Sequence, residues 1–401
     1  MRKFPLFVIF SLFLSSVLVF PVFSEISSFF TEETAHYKIY SDDSIIRAGE
    51  IAKEMEACLN VYNNIMHLDL SPLNVKLKVR IFKSKESFDT YLNSLINQTR
   101  DDFVYIHYTD LGKSELVGFE KANKADFNSS LIHQGFIQFI KALIPNAPIW
   151  LREGIAAYIE NAHYNPATAD FTWRPNLVWL DSLKEILKGN GNFIPLNKLL
   201  TMNKEEALKN ISVFYPEAWG VVQFLSSTNN KEYNRILWDS ISALTPGAAL
   251  YENSEYVVKR AFSWADTDTL KKDFSEFMGS LKTFTDYVKD GIDLYSKGNL
   301  TGAEKSFKEA VKIEPDNHIP YYYMGLIAYA RKKYNTAEEF YKKACKLGTE
   351  TGLINYALGV NAFAANKYNT ASEYLKKAKA ADNKTYGSKV DTLLKRIELL
   401  R

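Results

Sequence analysis

The feature that most constrains this chain is a spacing of 34 residues in its last third. Glycines fall at Gly291, Gly325 and Gly359, and alanines at Ala303, Ala337 and Ala371 and again at Ala310, Ala344 and Ala378. Three kinds of position keeping one period mean three copies of one supersecondary unit, which must stack to bury its apolar face. The units run about 284–317, 318–351 and 352–385, with Pro315 closing the first. Residues 386–401 read as a solvating cap helix. The small residues let paired helices approach closely, and the large ones fill the layers between them.

This period is that of tetratricopeptide repeats, and residues 284–385 resemble three of them. The resemblance implies that the first helix of each unit lines a concave surface. Stepping by 34 gives the rows Val288, Tyr322, Tyr356; Ile292, Leu326, Val360; and Tyr295, Tyr329, Phe363. These rows lack the lysine and asparagine clamp that some relatives use to hold a C-terminal carboxylate. The implied partner is a protein or peptide with an apolar or aromatic segment rather than a charged tail. The alternative is an intramolecular occupant, the cap helix or the preceding domain.

A second constraint lies at Ser129 to Glu160. Pro145 and Pro148 break it into two helices. Asn128 is the expected N-cap of the first, whose apolar residues from Leu131 to Ile144 follow at helical spacing. The second helix runs from about Ile149 to Asn161. Trp150, Leu151, Glu153, Gly154, Ala156 and Tyr158 match the WLxEGxAxY half of the signature of the peptidase MA-like gluzincins, which this region resembles. The other half of that signature is HExxH. Here the corresponding run is His133-Gln134-Gly135-Phe136-Ile137.

The resemblance implies a zinc site with His133 and the position of Ile137 as ligands, a base at the position of Gln134, and a third ligand at Glu153. Residues four apart share a helix face, which lets two imidazoles reach one metal. Ile137 has no lone pair to give, and an amide such as Gln134 is no base near neutral pH. Gln138 comes one residue too late to replace Ile137. His133 is therefore expected to hydrogen-bond Glu153, with Arg152 a less favourable partner for that carboxylate. His107 and His163 lack a recognisable spacing to His133. Tyr215, at the start of a helix resembling the next one of the family, is either a cleft residue or, preferably, a core aromatic.

Met1–Ser24 reads as a cleaved signal peptide: Arg2 and Lys3 precede an apolar run from Phe4 to Phe23, with Ser24 before the cleavage point. Left uncleaved, it would anchor the chain in a membrane. The chain has 49 Lys and Arg against 47 Asp and Glu, and loss of Arg2 and Lys3 leaves 47 of each. Net neutrality argues against a nucleic-acid partner and against an electrostatic grip on anionic lipid. Cys58 and Cys345 are expected to be two buried free thiols.

The expected architecture is an α+β zincin-like domain (25–283) followed by an all-α tetratricopeptide solenoid of three repeats (284–385) and the cap helix. In the first domain, strands at Ala35–Tyr40, Val75–Phe82, Val104–Tyr108 and Leu116–Phe119 alternate with helices at Ser44–Met66, capped by Asp42 or Asp43, and Glu86–Leu95. The functional expectation is an exported, periplasmic or cell-envelope protein that is non-catalytic and cofactor-free and binds protein through its repeats, an assembly factor being one form of this. The alternative is a divergent zinc metallopeptidase using His133, Glu153 and a third ligand not identified.

Overall fold

The computed structural model describes residues 29–172, 176–190 and 193–400. The expected signal peptide, Met1–Ser24, lies outside them. Among the described residues no helix is long and apolar enough to cross a membrane. The chain divides into two compact units between Leu281 and Lys282.

The first unit runs β1 (Phe30–Glu33), β2 (Tyr37–Ser41), α1 (Ile45–Met66), β3 (Leu77–Phe82), α2 (Lys85–Ile96), β4 (Val104–Ile106), β5 (Glu115–Phe119), α3 (Lys124–Leu143) and α4 (Ile149–Ile159). A short hairpin follows, β6 (His163–Asn165) and β7 (Asp170–Thr172). The rest is helical: α5 (Leu180–Glu185), α6 (Leu196–Thr201), α7 (Lys204–Lys209), α8 (Ile211–Ser227), α9 (Lys231–Ser242), α10 (Leu250–Val257) and α11 (Thr267–Ser280).

The larger sheet has the order β1-β2-β3-β5-β4, with β2, β3 and β5 parallel and the two edge strands antiparallel. Parallel neighbours need a crossover, and α1 and α2 supply it. A parallel centre must be covered on both faces. Ile39, Val79 and Leu116, in register across β2, β3 and β5, belong to the core that also holds the buried sides of α1 and α3. Phe82, Val104 and Val117 face the other way and pack with Phe88 and Leu92 of α2. Tyr62 of α1 donates to the Ile132 carbonyl of α3 at 2.8 Å, and the Gln138 amide donates to the Lys78 carbonyl of β3 at 2.8 Å. These bonds fix the register of α3 over the sheet.

Several expectations are corrected. The helix carrying His133 starts at Lys124, and Asn123, not Asn128, caps it by accepting from the Ala125 N–H; Asn128 is buried inside the helix. Ser44, rather than Asp42 or Asp43, caps α1, accepting from Arg47 at 3.1 Å. Cys58 is buried and Cys345 is exposed, both as free thiols, so the two are not alike. Tyr215 lies within α8, which starts at Ile211, and not at its first turn. Strand β1 and the β6–β7 hairpin have no counterpart in the sequence reading.

The second unit is helical throughout and resembles tetratricopeptide repeats. Helices α12 (Phe284–Ser296) and α13 (Leu300–Ile313), α14 (His318–Ala330) and α15 (Tyr334–Lys346), and α16 (Thr351–Ala364) and α17 (Tyr368–Ala381) form three pairs, followed by α18 (Asn383–Leu399). The periodic alanines are fully buried. A Cβ on Gly291 would come 2.7 Å from the Phe307 ring, one on Gly359 2.8 Å from Leu375, and one on Gly325 would overlap Tyr341. Each pair thus seats one large side chain of its second helix against the bare backbone of its first. Gly298, Lys332 and Asn366, also 34 apart, hold the turn between the helices in the left-handed region.

The glycine of the WLREG run has an equally physical reason. Helix α4 crosses α8 so closely that a Cβ on Gly154 would lie 2.5 Å from the Ala218 carbonyl oxygen and 2.8 Å from Val222. Gly154→Ala forces the two helices apart and is expected to destabilise the first unit by about 1–3 kcal/mol. Gly49→Ala, on α1 with nothing within 4 Å of the new methyl, is expected to be neutral or to stabilise by a few tenths to about 1 kcal/mol. Denaturant midpoints of the two variants check this; equal midpoints would remove the close crossing as a constraint.

Candidate functional site

Two places carry the residues singled out in the sequence. The first is the interior of the first unit, where α3, α4 and α8 meet. His133 projects from α3, Arg152 and Glu153 from α4, and Tyr215 from α8; Glu160 follows the last residue of α4. His133 is buried, and its Nδ1 lies 2.6 Å from a Glu160 carboxylate oxygen. Its Nε2 faces Glu153 at 3.7 Å, an ion-pair distance rather than a hydrogen bond. Asn176 donates to the other Glu160 oxygen at 2.8 Å and to the Ala157 carbonyl at 2.6 Å, which holds that carboxylate against the histidine.

Glu153 is held from another side. The Arg152 guanidinium reaches one carboxylate oxygen through Nε at 3.0 Å and Nη2 at 2.8 Å, and the Tyr215 hydroxyl donates weakly to the other at 3.4 Å. The expected His133–Glu153 hydrogen bond is thus replaced by two pairs, His133–Glu160 and Arg152–Glu153. Arg152, expected to be the poorer partner, makes the closer contact. Tyr215 is a buried aromatic, the reading preferred for it, and its hydroxyl touches Glu153.

The electrostatics follow from these pairs. Burial would pull the His133 imidazole down, but Glu153 and Glu160 outweigh it and hold the group up at about 9. Burial would raise Glu153, but Arg152 and His133 outweigh it and hold the carboxyl down at about 2. The two carboxylates thus favour the charged imidazole, and the Arg152 guanidinium favours the charged Glu153 carboxylate. A zinc ligand needs a lone pair to give. Ile137, one turn along α3, is buried in the core and offers none. The donors present do not match a zinc site, and among the described residues no group of three His, Cys, Asp or Glu side chains is arranged to hold a metal.

The other sequence candidates divide. Gln134 is buried, and its amide oxygen has no hydrogen-bond partner among the described residues. His163 is exposed on β6. His107 is buried beside Tyr105, and burial together with the charges of Lys141 and Arg152 takes it down to about 4. Lys141, two turns beyond His133 on the same face of α3, is buried too; burial and repulsion from Arg152 bring it down to about 7 against the pull of Glu153. Glu160, Asn176 and Lys141 escaped the sequence reading. Lys141 had a signal, since 133, 137 and 141 share one stripe of the helix.

The second place is the row structure of the repeats. Val288, Tyr295, Tyr322, Leu326, Tyr329, Tyr356, Val360 and Phe363 are half-buried, and Ile292 is 37% exposed. None is withdrawn into the core between helices, which is what separates these rows from the periodic glycines and alanines. Rings meet along them: Tyr322 with Tyr341 at 6.1 Å, Tyr329 with Tyr334 at 6.0 Å and Phe363 with Tyr368 at 6.0 Å. Burial pushes the Tyr322 phenol up to about 12, reinforced by Tyr323, Tyr386 and Tyr295. The face is therefore aromatic with a row of hydroxyls, a polar element that the apolar reading passed over. Helix α18 packs on α17 and α16 and continues the register, Val390 and Ile397 standing 34 residues after Tyr356 and Phe363; the ring of its Tyr386 lies 5.3 Å from that of Tyr356, tilted by 30°.

No protein-family model and no curated protein matches the chain. Solved structures that resemble it include the first tetratricopeptide domain of Spaghetti (RPAP3) bound to an HSP90 peptide, at a TM-score of 0.28 and 15% identity, covering 29% of this chain and 92% of that one. Another is the TPR2AB domain of yeast Sti1 in complex with pHSP90, at a TM-score of 0.28 and 13% identity, covering 67% of this chain and 92% of that one.

The pair His133–Glu160 has a testable pH signature. A histidine at about 9 in the folded chain and near 6.5 unfolded stabilises fully below pH 6.5, and that contribution is lost as the pH rises from 6.5 through 9. Glu153, at about 2 against 4.5, contributes fully above pH 4.5 and loses that contribution as the pH falls towards 2. Glu160→Gln is expected to lower the His133 midpoint in imidazole NMR titrations and to destabilise the first unit by about 2–4 kcal/mol at pH 6. An unchanged midpoint would mean that Glu160 does not hold the proton.

Proposed function

We propose that this chain is an exported, non-catalytic peptidase MA-like protein that works as a binding scaffold, holding a partner protein or peptide on the aromatic face of its repeats. The observation that carries the reading is that face: three rows at a 34-residue period, half-buried and rich in tyrosine. Interface cores are enriched in tyrosine and phenylalanine and depleted in charge. A tyrosine row can bury ring area and still satisfy backbone groups of a bound segment through its hydroxyls. The partner it fits is an apolar or aromatic peptide segment. Nucleic acid is not part of this reading.

The peptidase-like part rests on the WLREGIAAY run and on the order strand, helix, strand, helix, strands, signature helix. Its lack of catalysis rests on chemistry. Gln134 cannot take a proton from water, Ile137 cannot ligate, and His133 and Glu153 are engaged by Glu160 and Arg152. In this reading two cations occupy the role a metal would have had, compensating the buried Glu153 and the half-buried Glu160. Export rests on the reading of Met1–Ser24, and a cell-envelope partner follows from it.

Two measurements test the reading. Elemental mass spectrometry after zinc exposure and dialysis is expected to find less than about a tenth of an equivalent of metal; one tight equivalent lost in His133→Ala would make the chain a metallopeptidase candidate instead. In the producing cell, Tyr322→Ala and Tyr329→Ala are expected to abolish co-purification of a crosslinked partner while the helical circular dichroism stays unchanged. A partner retained by both variants would remove the rows from the function.

A further inference from the structure

Away from the ion network and the repeats, the first unit has a cleft of about 390 Å³ between the ends of α1, α3 and α9. That volume lies in the range of small-ligand sites. Its floor is apolar and buried: Met66 at the end of α1, Leu143 and Ile144 at the end of α3, and Ile241 near the end of α9. One wall is the indole of Trp238, 44% exposed, with the His67 ring 5.8 Å away and tilted towards it. His67 caps α1 in the left-handed region, at φ 49°, where glycine would be the cheaper residue. The chain thus accepts a strained position to place an imidazole beside the indole.

The charge around the cleft has one sign. All three helices present their C-terminal ends to it, and the last carbonyls of a helix have no intrahelical partner. Each such end is equivalent to about half a negative charge. Neither α1 nor α9 has a basic residue in its last turn to offset this. Lys141, in the last turn of α3, has Arg152, Glu153 and Lys204 as its electrostatic neighbours, in the ion network. Asp69 adds a carboxylate at the rim, and no Lys or Arg lines the cleft. Arg235, one turn before Trp238, is 72% exposed and paired with Asp239 at 3.0 Å.

We propose that this cleft binds a small organic cation, its ammonium group seated on the Trp238 indole within the negative ends of three helices. An indole face attracts cations best among side chains, and does so more strongly where water is partly excluded. An apolar floor suits the alkyl substituents or stem of such a cation, and an anion would find no Lys or Arg in the lining. Quaternary ammonium compounds and primary alkylamines share this chemistry. The site does not depend on the role assigned to the repeats, and it differs from the peptidase-like centre in position and in charge.

The test is a calorimetric titration of the full chain with choline, with n-butylammonium, and with 3,3-dimethylbutan-1-ol, a neutral molecule of nearly the shape of choline. At least one cation is expected to bind saturably, about tenfold or more tighter than the neutral isostere. Trp238→Leu is expected to weaken it by about tenfold, and Asp69→Asn, on the exposed rim, by a few-fold. Which cation binds better separates a quaternary headgroup from an amine. Equal affinity for the neutral isostere, no saturable binding of either cation, or full affinity in both variants would overturn the proposal. Asp69→Asn keeps it decidable should Trp238→Leu fail to fold.

Discussion

An ionised carboxylate is costly in an apolar core unless a cation meets it. Glu153 sits in such a core, on a helix that crosses α8 closely at the next residue, Gly154. The rest of the centre can be derived from that one constraint. The guanidinium of Arg152 turns to Glu153, His133 takes the remaining direction and keeps its proton, and Glu160 closes the circuit under the hold of Asn176. Breaking any one pair leaves a charge stranded, so the cluster is a unit and not a set of separate contacts.

The repeats solve their packing problem by other means. Their interior is small against large, Gly291 under Phe307 and Gly359 under Leu375, and almost all charge lies outside it. Each first helix turns one side inward, with Met324, Ile327, Ile354 and Leu358 buried, and leaves its aromatic rows half-buried on another. The aromatic rows are thus what the inward side of each first helix leaves over. Tyrosine repeated along a stack offers the same contact at successive steps; in the proposed reading, that suits an extended segment better than a compact knob.

The sequence was most legible where a period or a pattern recurs. The 34-residue spacing located the three helix pairs as units, and alternation located β2 and β3 to within a few residues. It was least legible where structure depends on partners distant in sequence. Nothing local marks Glu160 as the partner of His133, 27 residues earlier. Asn128 resembled a cap because it precedes the first clear apolar stripe, yet the helix runs one turn further back through Lys124–Phe127, and Asn123 ends it. Strand β1 is short and mostly exposed, so it carries too little alternation to be recognised. Tyr386 stands outside the three repeats and joins their aromatic face only because α18 prolongs the stack.

The two units also differ in how far their contacts reach along the chain. In the repeats each helix packs chiefly on its immediate successor, so every stabilising contact closes a short loop. The first unit aligns β2 with β3 across about 40 residues, then needs α4 to find α8 some 60 residues on. Loops of that length close slowly, and folding rates fall as contacts become less local. During refolding the repeat array is therefore expected to reach its native helix pairs well before the sheet is complete. A chain stopped part-way would hold a finished aromatic face beside an unfinished domain, and stopped-flow fluorescence would show this as two phases of unequal denaturant dependence.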